Sequence, residues 1–438
     1  MSGKLYIETY GCQMNVADSE LIVSLMVEKG YAVTNELNEA DVILVNTCSI
    51  RENAEQRVRG RLKLFASLKK KRHDLIVGVV GCMAQRLKEE LILQEKSVDI
   101  VVGPDQYRQL PELIKTVPCG SGIVQTILSK SETYDDIEPL RYNSNGISGF
   151  VSIMRGCINM CSYCIVPYVR GGERSRSIES IIAEISGLMQ NGYKEVTLIG
   201  QNVDSYNYIG TTFPKLLEEV AERFPGLWIR FSTNHPKDLT DDLLKTMAKF
   251  NNICKSIHLP VQSGSTSVLE RMKRGYTREW YLSRISAIQK NVPGCTISTD
   301  IMTGFCGETE EEHLESLSML ETVMYDYAFM FKYSERPGTW ASKHLKDDVP
   351  EPVKVRRLNE IIALQSKISE KTKKQDIGKV TEILVEGVSK KSKTEFFGRT
   401  SGNKVVVFPD KTFRKGEIIR VEITGCTSAT LKGKIYEG

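Results

Sequence analysis

MRGCINMCSYC, residues 154–164, sets Cys157, Cys161 and Cys164 at x3 and x2 spacing, at the end of the apolar run GFVSIMR (149–155). Thiolates this close in one loop suit a soft metal, as iron–sulfur or zinc, rather than a hard cation. A cubane cluster takes four ligands and only three sulfurs are local. Either a distant cysteine closes the site, or one iron stays open, as the fourth position does in catalytic zinc sites. On spacing alone a closed zinc or electron-transfer site stays in play.

Five further β-like runs follow that loop: EVTLIG (195–200), LWIRFST (227–233), KSIHLPV (255–261), TISTDIMTGF (296–305) and AFMFKYS (328–334). Helical patterns such as SIESIIAEISGLMQ (177–190) and EEHLESLSMLETVM (311–324) lie between them. Six βα units predict an incomplete TIM-type (β/α)6 barrel over 147–375, working at its strand C-termini and ending in a long helix, 353–375. Upstream, over 1–118, KLYIETY (4–10), DVILVNT (41–47), DLIVGVV (74–80) and VDIVVG (98–103) also alternate with helices. That pattern is α/β and predicts a doubly wound parallel sheet. Residues 119–146 lack periodicity and read as a connector. Over 376–438 five short strands with glycine turns predict a small OB-like all-β barrel.

The N-terminal strands carry a second triad. Cys12, Cys48 and Cys82 each stand just past a strand, in ETYGC, VNTC and VVGC, at intervals of 36 and 34 residues, about one βαβ unit each. In a parallel sheet the strand C-termini share one edge, where ligands bind. Three cysteines far apart in sequence then converge, which predicts a second three-cysteine cluster. A single cysteine there would read as a small buried apolar residue.

Eleven cysteines in 438 residues are an odd number, and the chain opens without a signal-peptide pattern, so metal binding is the better reading than disulfides. Its apolar stretches are too short to span a bilayer, which predicts a soluble cytoplasmic protein that meets no membrane. Net charge is +4, and residues 376–438 hold twelve Lys/Arg against eight Asp/Glu, the whole of that excess. A basic terminal module points to a polyanionic partner, with a merely solvated basic surface as the alternative.

The C-x3-C-x2-C spacing, with Tyr163 before the last cysteine, resembles the radical S-adenosylmethionine (SAM) superfamily. The resemblance implies a 4Fe–4S cluster whose open iron chelates SAM, and one-electron cleavage to a 5′-deoxyadenosyl radical. Two triads in this order, with CSYCIVPYVRGGERSRS (161–177), LIGQNVDSY (198–206), TNHPKDLTDDLL (233–244), HLPVQSGSTSVLERMKRGYTREWY (258–281), STDIMTGFCGET (298–309), FKYSERPGTWA (331–341) and GRTSGNKVVVF (398–408), resemble the methylthiotransferases over essentially the whole chain. In detail they are most similar to the branch acting on isopentenylated adenosine in tRNA. The resemblance implies two 4Fe–4S clusters, two SAM per product, a C-terminal TRAM domain, and a methylthio group placed on C2 of the adenine beside the anticodon. It also implies an electron donor such as flavodoxin or ferredoxin, and a sulfur or cluster delivery system. Branches acting on threonylcarbamoyl-adenosine or on a ribosomal protein remain open. So does, from another class, a redox-sensing iron–sulfur protein that binds RNA without chemistry.

Candidate SAM contacts are Gln201 and Asn202 after the second barrel strand, with Ser232, Gln262 and Asp300 at or near later strand ends. Turn stabilisation is the competing reading for them. Arg174 and Arg176 in GGERSR are candidates for RNA phosphate or substrate carboxylate, against surface salt bridges. In the tail Lys390, Lys391, Lys393, Arg399, Lys404, Lys411, Arg414 and Lys415, flanking Phe396, Phe397 and Phe413, form a candidate RNA surface of charge and stacking faces. Because Phe396 and Phe397 adjoin, one of them is expected to face inward. Cys306, where the family has proline, reads as a tolerated small residue. Cys119, Cys254, Cys295 and Cys426 match no cluster spacing.

Overall fold

The computed structural model describes residues 3–49, 52–118, 122–389, 392, 394–409 and 413–437. Cys119, Lys390, Lys391, Lys393 and Lys411 lie outside the described residues.

The N-terminal sheet comprises β1 (Lys4–Tyr10), β2 (Ala32–Val33), β3 (Val42–Thr47), β4 (Ile76–Gly81), β5 (Ile100–Val102) and β6 (Ile123–Gln125). Their order is β2-β1-β3-β4-β5-β6, with every pair parallel. β3 is buried at all six positions, as a central strand covered on both faces should be. One core lies on each face, with Leu44, Val80 and Tyr107 in one and Ile43, Val79 and Phe65 in the other. The expected irregular connector differs: β6 lies within it and extends the sheet by pairing with β5. All three β6 residues are half-buried, which hides the alternation that marks a strand.

The second unit opens with β7 (Ser148–Ser152), followed by a small ribbon of β8 (Met154–Arg155) and β9 (Arg174–Ser175). Next come β10 (Glu195–Ile199), the hairpin β11 (Asn207–Tyr208) and β12 (Thr211–Thr212), β13 (Trp228–Phe231), β14 (Ser256–His258), β15 (Thr296–Thr303) and β16 (Tyr327–Lys332). Six of these form two parallel arcs, β13-β10-β7 and β14-β15-β16, joined by a bridge between Ile229 and Ile253. The arc runs from β7 to β16 without closing, which is the expected incomplete barrel. Its helices pack outside over the largest core, where Ile185, Leu217, Tyr281 and Met319 are buried. The long helix Glu351–Lys374 lies against β16 and leads to the last unit.

That unit is a closed barrel of β17 (Val380–Val388), β18 (Glu395–Thr400), β19 (Val405–Pro409), β20 (Ile418–Cys426) and β21 (Leu431–Ile435), in the order β17-β18-β19-β21-β20. It is docked on the N-terminal ends of the large barrel's strands. Buried Glu195, the first residue of β10, accepts from Arg230 Nε and from Arg399 Nη2, each at 2.6 Å. Arg230 also donates to the carbonyls of Thr400 and Ser401 at 2.8 and 2.9 Å. Lys404 bridges Asp326 at 3.0 Å and Asp376 at 2.7 Å. Among the described residues no helix is long and apolar enough to cross a membrane.

Candidate active site

Register brings the first triad together. Tyr10 pairs with Thr47, and Thr47 with Gly81, so β1, β3 and β4 end level. Cys12, Cys48 and Cys82 follow within two residues of those ends. Gly11 allows the approach: at φ 152° a Cβ there would stand 2.7 Å from the Cys48 Cβ. At Gly81, φ 92°, a Cβ would stand 2.8 Å from the Thr47 carbonyl oxygen. Substitution at either glycine forces the strand ends apart.

A buried asparagine pair locks this edge. Asn15, in the first turn of helix Gln13–Glu28, accepts from the Cys12 amide at 3.2 Å and donates to Asn46 Oδ1 at 3.0 Å. Asn46 donates back to the Asn15 carbonyl at 2.8 Å and to Ser19 at 2.9 Å. Cys12 and Asn15 thus form a capping box with neither of its usual residue types. Asn46→Ala leaves Asn15 with lost partners in the core. It should lower the unfolding free energy by about 1–3 kcal/mol, measured by denaturant titration.

A hydrogen bond from Cys48 pulls the Cys12 thiol down to about 6, against burial and with help from the Arg170 charge. Burial instead pushes the Cys82 thiol up, opposed by Arg170. Arg170 Nε stands 3.2 Å from Cys82 Sγ.

The second triad sits in the loop that the β8–β9 ribbon closes. Gly156, at φ 80°, turns the chain so tightly that a Cβ would strike the Gly172 carbonyl. The Cys157 amide donates to the Gly171 carbonyl at 3.1 Å, and Cys157 Sγ accepts from the Asn159 amide at 3.4 Å. Ser162 ties the loop to the barrel through the carbonyls of Met272 and Arg271, at 2.9 and 2.7 Å. Buried Arg274 donates to Cys161 Sγ at 3.3 Å. Burial raises Cys157 to about 11 and Cys164 to about 12, so a metal has to displace these protons.

The two triads are neighbours. Cys82 packs in a single apolar cluster with Ile165, the residue after Cys164, and with Val169. Among the described residues no three His, Cys, Asp or Glu side chains form a ready ligand set for a single metal ion. A cubane asks for something else, since each thiolate takes its own iron. The donor set fits it: three soft sulfurs per triad, with buried donors lacking partners at Asn159 Nδ2 and Arg170 Nη1.

The other expected site residues separate. Gln201 Oε1 accepts from the Gly156 amide, so it holds the loop's first turn. Asn202 donates to Asp238 at 2.7 Å, while its buried Oδ1 has no partner. Ser232 lines a cavity of about 410 Å³ inside the barrel, with His258 and Ser298. Gln262, at φ 69°, pairs by backbone with Asp300 and Met302. Asp300 faces His258 Nε2 at 3.5 Å.

Arg174 and Arg176 are corrected. Both are buried. Arg174 is held by Asp105 at 2.8 and 3.1 Å, and Arg176 by Glu184 at 2.6 Å. Neither guanidinium faces solvent where a phosphate could reach it. Arg399 and Lys404 are corrected likewise, since Glu195, Glu386, Asp326 and Asp376 occupy them at the barrel junction. Arg414 and Lys415 are exposed. Phe396 and Phe413 pack against the small barrel's core, while Phe397 opposes Val407 across the β18–β19 ladder. Cys306 is buried with Phe305 and Tyr333.

Sequence reading missed Asp18, Asn15, Asn46, Arg155, Arg170 and Arg274. It also missed Asp204, whose carboxyl burial lifts to about 8 and which accepts from Asn234 at 2.6 Å. Beside it buried His235 has neither ring nitrogen partnered, and burial drops it to about 2.

Three family profiles match in succession. One is described as the uncharacterized protein family UPF0004 (residues 4–103), one as the radical SAM superfamily (151–320) and one as the TRAM domain (374–436). The chain is 58% identical over 436 residues to the tRNA-2-methylthio-N(6)-dimethylallyladenosine synthase of Bacteroides fragilis, covering 98% of this chain and 95% of that one. The Porphyromonas gingivalis protein of the same name is 55% identical over 441 residues, with 99% and 95% covered. Among solved structures, the radical SAM methyltransferase TsrM of Kitasatospora setae superposes at TM-score 0.57 and 13% identity, over 75% of this chain and 73% of that one. The cobalamin-dependent radical SAM enzyme OxsB does so at 0.52 and 14%, over 83% and 56%. At such identities these two show the shared fold alone.

Proposed function

This chain belongs to the radical SAM tRNA methylthiotransferases named tRNA-2-methylthio-N(6)-dimethylallyladenosine synthase, and we propose how its parts divide that reaction. The observation that supports the reading is the packing of Cys82 against Ile165, which sets the two cysteine triads side by side, bordering the space we propose for the reaction. Cys157, Cys161 and Cys164 hold one 4Fe–4S cluster, and Cys12, Cys48 and Cys82 hold a second. When bound, these groups and two SAM molecules per product supply a carbon-centred radical and a methylated sulfur for C2 of N6-isopentenyladenosine at position 37, next to the anticodon.

The protein's own residues bind, orient and exclude water. Asn202, Ser232, Gln262 and Asp300 offer polar contacts for SAM at or near the strand ends, and Gln201 fixes the Gly156 turn below them. Tyr163 and Phe305, ring centroids 6.4 Å apart, wall the second triad with apolar surface that keeps water from a reactive radical. The substrate base has to leave its stack to reach this space, and an unpaired loop base costs least to extrude. Of the candidate tail cations that are described, Arg414 and Lys415 are exposed and can meet tRNA phosphates, with Lys390, Lys391, Lys393 and Lys411 as further candidates. The remaining partners are an electron donor such as flavodoxin or ferredoxin and a sulfur or cluster delivery system, in the cytoplasm.

Anaerobic turnover on anticodon stem-loops with and without the isopentenyl group tests the substrate. Methylthiolation of the isopentenylated RNA alone is expected, and equal turnover on both would refute the isopentenyl requirement. Mass spectrometry of the nucleosides reads the product.

A further inference from the structure

Two buried arginines converge on one buried carboxylate between the triads. Asp18 accepts from Arg155 Nη2 at 2.9 Å and from Arg170 Nη2 at 2.7 Å, and all three side chains are at most 3% exposed. Tyr107 donates to the same carboxylate at 3.2 Å, and Arg155 lies over the Tyr134 ring at 4.9 Å. Burial raises both phenols, which keeps them neutral. Nearby Arg174 is balanced separately by Asp105. Two positive charges therefore face one negative charge, and one buried positive charge is left over. An unbalanced charge in the interior is strongly unfavourable.

The group within reach that becomes anionic on ligating iron is the sulfur of Cys82, at 3.2 Å from Arg170 Nε. A cubane core of charge two plus with three thiolates carries one negative charge, the complement of the surplus. Arg170 Nη1, buried and without an acceptor, is a further donor beside it.

We propose that Arg170 is a positioning residue that balances and tunes the iron–sulfur group on Cys12, Cys48 and Cys82, with Asp18 fixing its guanidinium. This rests on the two-cluster reading above. The same carboxylate grips Arg155, one residue before the Gly156 turn, so the support of one triad also braces the entrance to the other.

The test uses full-length protein, reconstituted anaerobically with iron and sulfide, in which Cys157→Ala, Cys161→Ala and Cys164→Ala leave only the N-terminal triad. Iron content and the midpoint potential of the remaining cluster are measured with Arg170 unchanged, Arg170→Met and Arg170→Lys. Arg170→Met should shift the potential to more negative values, because the lost positive charge no longer favours the reduced form, and Arg170→Lys should recover most of the shift. If Arg170→Met loads no iron, normal loading by Arg170→Lys supports the charge role, and equal failure of both overturns it. An unchanged potential in a fully loaded Arg170→Met protein also overturns it. Absence of iron with Arg170 unchanged would instead refute the second cluster.

Discussion

Cys12→Ala abolishes methylthio transfer to RNA while SAM is still cleaved to 5′-deoxyadenosine. Cys12 and the second triad are held by different hydrogen bonds, which makes the separation possible. Cys12 is carried by the edge of the N-terminal sheet and by the Asn15–Asn46 lock. Cys157, Cys161 and Cys164 are carried by the β8–β9 ribbon and by Ser162 on the Met272 and Arg271 carbonyls. None of the hydrogen bonds that shape the second loop involves Cys12. Losing one of three thiolates removes a ligand outright, a larger change than the 10–100-fold typical of losing a residue that supports a ligand. Methylthiolated nucleoside should therefore fall by more than about 100-fold. Both products are quantified by mass spectrometry after anaerobic turnover with reductant. Loss of 5′-deoxyadenosine from protein that keeps its Cys157 cluster would show that the triads do not divide the work. Cys161→Ala, by contrast, should eliminate both products.

Glu195→Ala releases the small barrel from the large one. The carboxylate is wholly buried and joins Arg230 on one side to Arg399 on the other. Its removal leaves the Arg230 guanidinium without a carboxylate and Arg399 with Glu386 alone. Breaking a buried ion pair from one side destabilises by about 3–5 kcal/mol. Limited proteolysis should then cut between the long helix and β17, and the thermal transition should split in two. Acid should act in the same direction. Burial pushes Glu195 upward, but Arg230 and Arg399 outweigh it and hold the carboxyl below its ordinary value. Its contribution is therefore complete above the unfolded carboxyl value of about 4.3 and is lost as pH falls below it. Loosening of the small barrel that begins below about pH 4 and grows with further acid is the expected result, and docking that stays intact to the acid end of the titration would contradict it.

The skeleton was legible because its signals are periodic. Strands such as VILVNT and TISTDIMT stand out as apolar runs at βα spacing, and cysteines directly past them can only lie on one sheet edge. Arginines carry no such signal. Arg174 looks the same in sequence whether it meets a phosphate or Asp105, and that aspartate stands 69 residues away. Arg399 was misread for the same reason, its partner Glu195 lying 204 residues upstream. Asp18 was invisible because a carboxylate inside an apolar helix reads as an outward residue until two arginines from another unit are seen to meet it. β6 was lost because a short, half-buried strand shows no alternation.

The small barrel is fastened to the strand beginnings, whereas both cysteine triads open at strand ends. The strands between are five to eight residues long over β7, β10 and β15, about 16–27 Å at the usual rise. With the junction rigid, that span is constant, and the molecule acts as a fixed gauge. A nucleic acid gripped at one end can present only the nucleotide lying one gauge length along its contour. Selection of a single position in a loop then follows from reach as well as from recognition of the base.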